Sequence, residues 1–355
     1  MSEPDQGLGA EKKSNKDIRM KSQAVCIDRA DHSMVQATDV KEPDPNQILI
    51  QTLYTIISPG TELAIYRDDF WSTLPHFPGY GAVGKVLQVG SDVSHVHEED
   101  QLFCYNGHAQ YSVTDVAKPA CVFSETADPK QIVFTRMAAV SMTALRVSPP
   151  ELGDWVAIQG LGLVGNFAAQ LFALAGARVI VIEPAEARRE QAQACGIEHI
   201  LDPSDGDLKA AVMALTDGEG VRTLVEATGI PALVEPGCAL IAKGGEIVLL
   251  GSPRGELQGN VTSLLNQIHL WGNGCITLKG AHEWRYPRLR EPNVKHSIQR
   301  NCEVIIDLIE RKKLIVDPLL THVVPPDQCQ VMYQGLRHQP NAHLGVLFDW
   351  TAVDS

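Results

Sequence analysis

The stretch VAIQGLGLVGNFAAQLFALAGARVIVIE, residues 156–183, decides the fold. A short apolar run ends at Gln159, Gly160, Gly162 and Gly165 follow in G-x-G-x-x-G spacing, and an apolar helix pattern then leads to a second strand ending in Glu183. Each part has a physical task. Gly160 permits a tight turn, Gly162 lets the backbone approach a pyrophosphate, and Gly165 allows helix and strand to pack closely. The helix start at Leu163 and Val164 offers amides and a positive dipole end to phosphates. The glycines alone would fit a turn in some other α/β domain; the strand, helix, strand and acid in this order point to a dinucleotide site.

Glu183 bears on which dinucleotide. A carboxylate at the end of the second strand accepts hydrogen bonds from ribose hydroxyls and repels a 2′-phosphate, so NAD is expected over NADP. Arg188, five residues on, is the competing signal, because an arginine there can greet a phosphate. Two further clusters, Thr228-Gly229 and Gly251-Ser252-Pro253, close later strands, and ligands of open α/β sheets bind at strand carboxyl ends. Ordinary strand-to-helix turns are the alternative for each of these residues.

Working outward, strands are expected at 155–159, 178–182, 199–201, 223–227, 246–251 and 277–279. Their continuous apolar character suits a parallel sheet buried on both faces. NFAAQLFALAG and AEARREQAQACG read as helices closed by glycine. Upstream, SQAVCI, QILIQTL, GAVGKVLQV, QLFCY and AQYSV, separated by EPDPN, SPGT and PHFPG, read as an irregular β domain. Residues 1–19 are expected to be a disordered tail, with two large aliphatics, Leu8 and Ile18, among charges and glycines. The expected division is 20–145, a dinucleotide domain over 146–284, and a closing segment 285–355. The overall class is α/β.

The 355-residue chain carries a formal net charge of −13. That balance repels phosphate backbones and anionic lipid, and no basic run offsets it, so neither nucleic acid nor membrane is an expected partner. The longest apolar run is too short to span a bilayer, and residues 1–19 lack a secretory h-region, so a cytoplasmic location is expected. The eight cysteines contain no C-x-x-C pair and read mostly as buried thiols.

The sequence resembles the medium-chain dehydrogenase/reductase superfamily, the alcohol-dehydrogenase-like enzymes. The resemblance runs from Met20 onward through Ile57-Ser58-Pro59-Gly60-Thr61-Glu62, FPGYGAVGKVLQVG around Tyr80, NGHAQYSV around His108, the glycine motif and KKLIVDPLLTHVVPPDQ. It implies a GroES-like, mostly-β catalytic domain interrupted by a Rossmann domain. It also implies that Glu183 and Arg188 both touch the adenosine ribose, and that a small-molecule substrate is handled by a homodimer or homotetramer joined along the edge strand TLKGA.

The departures concern metal. Where zinc-dependent members place a Cys before Thr-Asp, this chain has Ser58-Pro59-Gly60-Thr61-Glu62; where they place Gly-His-Glu it has Gly79-Tyr80-Gly81; where they place a third ligand it has Ala139. The four-cysteine lobe is also missing. Catalytic zinc needs three protein ligands and structural zinc four, so no zinc is expected. Cys104 and His108 form at most half a site and read rather as a core thiol and an ordinary imidazole. Ser-Pro-Gly-Thr-Glu with Gly-Tyr-Gly resembles a zinc-independent branch that includes bacteriochlorophyllide a dehydrogenase and proteins linked to sugar or cyclitol oxidation.

Without metal, Tyr80 can hydrogen-bond the substrate oxygen, or it can merely fill the vacated space. Its phenol is a good donor and a poor base at neutral pH unless a cation lowers its pKa. Thr61 can relay a proton and Glu62 can orient it or act as the base; the same residues also make a good helix start. Ser58 is a further polar candidate, and His108 is a candidate whose leading reading is a backbone-bound structural imidazole. Lys279, His282 and Glu283, with Trp271, Trp284 and Tyr286, can line a ring-shaped substrate or pack a loop. The expected function is hydride transfer between NAD and a secondary alcohol of a polyol, sugar or cyclitol. The alternatives are an NADPH-dependent enoyl or quinone reductase and a non-catalytic dinucleotide-binding protein.

Overall fold

The computed structural model describes residues 18–69 and 73–353. Most of the expected N-terminal tail lies outside the described residues, and its last two positions already belong to a strand.

The N-terminal half is built of antiparallel strands. Strands β1 (Ile18–Arg29) and β2 (His32–Lys41) form a two-stranded ribbon. Asp31, at φ 59°, turns the chain between them. Strands β3 (Gln47–Ile56), β4 (Ala82–Val89), β5 (Gln101–Cys104), β6 (Tyr111–Asp115) and β7 (Ala120–Val122) form a second sheet around β3. Between β3 and β4 runs helix α1 (Pro59–Tyr66); helices α2 (Pro129–Ile132) and α3 (Thr135–Val147) follow β7.

Residues 155–280 form a six-stranded parallel sheet. Its strands are β8 (Trp155–Gln159), β9 (Arg178–Ile182), β10 (His199–Leu201), β11 (Val221–Glu226), β12 (Ile241–Leu249) and β13 (Thr277–Gly280), in the order β10-β9-β8-β11-β12-β13. This is the doubly wound Rossmann order, whose direction reverses between β8 and β11 and opens a crevice at their carboxyl ends. Helix α4 (Leu163–Leu174) connects β8 to β9. Both faces are covered, which explains the continuous apolar runs. Val156, Ile158, Val179 and Val181 pack with Ala168, Ala169 and Phe172 of α4, while Ala157, Ile180 and Ile182 pack with Val212, Cys238 and Leu240 on the other side.

The first three strands of this sheet have the expected bounds. Strand β12 begins five residues before the expected Glu246, and Gly244 and Gly245 lie within it. A Cβ at Gly245 would stand 2.7 Å from the Arg222 carbonyl oxygen, so the pairing with β11 depends on its absence.

After β13 the chain returns to the first half. Strands β14 (Leu320–Val324) and β15 (Gly345–Asp349) extend the second sheet, with Leu347 opposite Ile56 on β3. Helix α3 joins the two halves: Met137, Ala138 and Met142 pack in a cluster with Phe167 and Leu171 of α4 and with Cys302, Ile305 and Ile309 of the helix Ile298–Glu310. Phe134 meets Phe167 edge-on, with ring centroids 6.1 Å apart. Burial of such side chains contributes about 1.5–3 kcal/mol each, which holds the walls of the crevice in register.

Candidate active site

A cavity of about 1120 Å³ opens at the carboxyl ends of β8, β11 and β12. The parallel sheet supplies Gly162, Leu163, Val164, Gly165, Arg188, Thr228, Gly229, Gly251 and Ser252 to its wall; the β half supplies Ser58, Thr61, Tyr80 and Arg136. Gly160, Glu183 and Pro253 stand behind the lining.

The glycine turn is shaped for close approach. Gly160 has φ 92°, and Gly162 caps α4 with no side-chain hydrogen bond. An added Cβ at Gly162 would meet nothing within 4 Å, whereas one at Gly165 would stand 1.9 Å from the Gly160 carbonyl oxygen. Gly162 therefore keeps an open surface in front of the first amides of α4, and Gly165 lets the helix press against the turn. The opposite wall is preformed as well. The buried Glu226 carboxylate accepts the amides of Thr228, at 2.7 Å, and Gly229, at 3.1 Å, together with the Thr228 hydroxyl. These groups fit a dinucleotide.

Glu183 sits at the end of β9, 4% exposed, and accepts the Leu161 amide at 2.7 Å and the Ala185 amide at 3.0 Å. It braces the glycine turn. Arg188 Nη1 lies 3.9 Å from it, and Nη2 donates to the Pro340 carbonyl. Both side chains stand at the same end of the cavity, with the arginine in the wall and the carboxylate behind it.

At the other end, Ser58 occupies the N-cap position of α1 and Pro59 its first turn, so the helix begins two residues before the expected start at Thr61 and Glu62. The Ser58 hydroxyl makes no capping bond because it accepts the Tyr80 phenol hydrogen bond. Tyr80 Oη also lies 3.2 Å from Thr61 Oγ1. Burial pushes the Tyr80 phenol above its ordinary value; the Arg136 guanidinium and the Ser58 and Thr61 hydroxyls pull it back only in part. The phenol therefore stays protonated at neutral pH.

Two candidates lie behind the wall. Glu62 is fully buried and accepts the Ser58 amide at 2.7 Å, the His108 imidazole at 2.9 Å and the Tyr333 hydroxyl at 2.6 Å. His108 is thus held by a carboxylate and not by backbone, a correction to the expected backbone-bound imidazole; its Nδ1 has no partner among the described residues and its ring meets Phe348 edge-on. Neither residue reaches the cavity, so Glu62 is placed to fix the start of α1 and not to touch a substrate.

Arg136 escaped the sequence reading. It is buried on α3, bonds Glu283 through Nη1 and Nη2 at 2.7 and 2.5 Å, and lies 4.3 and 4.5 Å from the ring centroids of Tyr80 and Tyr105. Burial works against its charge, but Glu283 and the two tyrosines outweigh burial, so the guanidinium stays charged. Its signal in the sequence is a lone charge inside the apolar run IVFTRMAAV. Tyr333, on a helix of ordinary amphipathic pattern, had none. Of the junction residues, His282, Glu283 and Trp284 line the cavity. Lys279 pairs with Glu246 elsewhere, and Trp271 and Tyr286 are not in the wall.

The donor set does not suit zinc. Ser58, Tyr80 and the buried Ala139 stand at the three expected ligand positions, and among the described residues no three His, Cys, Asp or Glu side chains converge as metal ligands. The Cys104 thiol, in the core, is pushed by burial up to about 12, which leaves it inert at neutral pH.

A family described as zinc-binding dehydrogenase matches residues 164–287, a segment that contains none of Ser58, Tyr80 and Ala139. An L-threonine 3-dehydrogenase of Pyrococcus horikoshii is 27% identical over 325 residues, covering 80% of this chain and 86% of that one. A solved Escherichia coli alcohol dehydrogenase complexed with NADH has TM-score 0.77 at 15% identity and covers 93% of this chain and 99% of its own. A solved Sinorhizobium meliloti protein assigned to the zinc-binding dehydrogenases and bound to NADP has TM-score 0.75 at 21% identity, with 93% and 100% covered. The structural likenesses show the alcohol-dehydrogenase-like fold; the family match and the curated relative support an oxidoreductase of the dehydrogenase kind.

Proposed function

We propose that this protein interconverts a secondary alcohol and its ketone with NAD, acting on a polyol, sugar or cyclitol without zinc. The observation that carries the reading is Tyr80, hydrogen-bonded to Ser58 and Thr61 in the wall of the cavity whose other wall is the glycine turn. When bound, the nicotinamide exchanges a hydride with the carbinol carbon. Tyr80 meets the substrate oxygen. In ketone reduction its O–H bond breaks as the alcohol O–H bond forms, and a proton from solvent water is passed back to the phenolate through the hydroxyls of Ser58 and Thr61, each of which accepts one proton as it gives up another. The fixed charge of Arg136 beside the ring stabilises negative charge developing at that oxygen.

The preference for NAD rests on Glu183, and zinc independence on the residues at positions 58, 80 and 139. The same reading divides the chain into catalytic segments 20–145 and 285–355 around a dinucleotide segment 146–284, supported by β15 pairing with β3. A homodimer or homotetramer is supported by the outer strand β13 and the exposed Val261, Leu265, Trp271 and Leu278 nearby; sedimentation as a monomer would refute it. No helix of the described residues is long and apolar enough to cross a membrane.

The test is appearance of reduced nicotinamide, followed by absorbance, with chelator-treated protein, NAD or NADP, and a panel of polyols, inositols, aldoses and simple alcohols. Turnover that survives chelation with NAD supports the proposal. Loss on chelation with recovery on zinc overturns the metal-free reading, and reduction of enones with NADPH replaces the reaction class.

A further inference from the structure

The polar groups at the Tyr80 end of the cavity come from two segments of chain. Ser58 and Thr61 belong to the start of α1, and Tyr80 to the segment 78–81 that leads into β4. The Tyr80 phenol meets the Ser58 hydroxyl across 22 positions of chain and lies 3.2 Å from the Thr61 hydroxyl across 19. A small slip of one segment past the other would separate these oxygens.

Behind the wall a second set of bonds ties the same two segments together. Glu62 Oε1 accepts the Ser58 amide at 2.7 Å, and Oε2 accepts His108 Nε2 at 2.9 Å and the Tyr333 hydroxyl at 2.6 Å. His108 in turn grips the segment that carries Tyr80. Its amide donates to the Pro78 carbonyl at 3.0 Å, and its ring fills the space where Gly79 lacks a side chain. A Cβ at Gly79 would stand 2.8 Å from ring atoms Cγ and Cδ2, and the φ of 94° there also favours glycine. Tyr333 brings in the helix Cys329–His338 and stacks on Tyr66 of α1, with ring centroids 5.2 Å apart. Glu62, His108 and Tyr333 are all buried.

We infer that Glu62, His108 and Tyr333 form one positioning unit, which sets the Tyr80 oxygen against the Ser58 and Thr61 hydroxyls without itself touching substrate; its role in turnover rests on the dehydrogenase reading. An ionised carboxylate suits the centre of such a unit, because it accepts at both oxygens and carries no proton to oppose the three donors. Holding α1 alone would need only the bond to the Ser58 amide. The bond to His108 reaches the second segment. The Glu62 charge also acts on the phenol. Burial raises Tyr80 most, Arg136 and the two hydroxyls oppose that rise, and Glu62 adds to it. The charged groups around Tyr80 are Arg136 from α3, Glu62 from α1 and Arg254 from the chain after β12. Of these, Glu62 is the one that favours the protonated phenol.

The experiment uses two variants. Glu62→Gln keeps the side chain's size but turns one acceptor into a donor that faces other donors. Its kcat should fall about 10- to 100-fold, with KM and NADH affinity little changed, and the alkaline loss of ketone reduction should move to lower pH. Tyr333→Phe keeps the stack on Tyr66 and removes one donor; kcat should fall roughly threefold to tenfold. In the double variant the losses should not multiply, because residues that act as a unit fail together. Lower stability with unchanged kcat and an unmoved pH profile would make the cluster ordinary core and overturn the inference, as would losses that multiply. Should Glu62→Gln fail to fold, Tyr333→Phe decides: a lower kcat at unchanged KM supports the unit, and an unchanged kcat overturns it. If no alcohol turns over, the dehydrogenase reading fails. Ultraviolet titration of the tyrosinate band, with Tyr80→Phe subtracted, then reads the unit directly: a lower midpoint in Glu62→Gln supports it, and coincident curves overturn it.

Discussion

Arg136 lies against the face of Tyr80, its guanidinium carbon 4.3 Å from the ring centroid, while both of its terminal nitrogens bond the Glu283 carboxylate. A buried cation is thereby fixed beside the phenol. Removing one partner of such a pair strands the other charge. Arg136→Leu should therefore cost about 3–5 kcal/mol of stability, and Arg136→Leu/Glu283→Leu should recover much of it. Urea unfolding of the two variants checks this; equal midpoints would mean that the pair is not coupled.

Tyr80→Phe keeps the ring and its contact with Arg136 and removes only the proton. Turnover should fall by about 10²–10⁴-fold, with dinucleotide affinity little changed. Because burial raises this phenol above its ordinary value near 10, ketone reduction should show no loss from Tyr80 ionisation as the pH rises from 7 to about 10. A change of only a few-fold in Tyr80→Phe would reduce the residue to a space filler.

The two helix-side glycines should fail differently. Gly165→Ala places a methyl 1.9 Å from the Gly160 carbonyl oxygen and should lower the melting temperature as well as dinucleotide binding. Gly162→Ala meets nothing within 4 Å and should leave the melting temperature alone while weakening NADH, whose pyrophosphate needs that space. Thermal melts with and without NADH separate the two cases.

Glu183 both braces the glycine turn and stands where a 2′-phosphate would arrive. In Glu183→Ala the ratio of NADP to NAD affinity should rise by roughly tenfold, with Arg188 free to meet the phosphate. Fluorescence titration with both cofactors measures it, and an unchanged ratio would take the discrimination away from this residue.

His322 and His343 stack with ring centroids 4.2 Å apart, and His322 is held below its ordinary value, first by burial and then by its neighbour. A histidine depressed in the folded state binds protons more readily when unfolded, so its stabilising contribution is present above about pH 6.5 and is lost as the pH falls below that value. The melting temperature should decline between pH 7 and pH 5, and His322→Gln should flatten the decline. A parallel decline in wild type and variant would assign the acid sensitivity elsewhere.

Much of the dinucleotide half was legible because its signals are local. Strand bounds at Trp155–Gln159 and Arg178–Ile182 follow from apolar runs, and the three glycine roles follow from spacing. Strand β12 runs further back than expected, through Gly244-Gly245 to Ile241, where it pairs with Val221 of β11, a partner distant in the local pattern. In the β half, Ser58, Thr61 and Tyr80, read from the motif that holds them, line the cavity. Glu62 and His108 belonged to the same motifs yet are buried, Glu62 on α1 and His108 in the loop between β5 and β6, and the sequence there has no clean alternation to tell the inward side.

By itself the sequence determined the α/β class, the glycine turn after the first parallel strand and the residues Ser58, Tyr80 and Ala139, because each depends on residue identity at short separations. Only the tertiary structure decided that Arg136 meets Glu283 across 147 positions of chain and that Tyr333 reaches Glu62 across 271. Pairings of that range are set by which helices and strands the packed core brings together, and no local pattern encodes them.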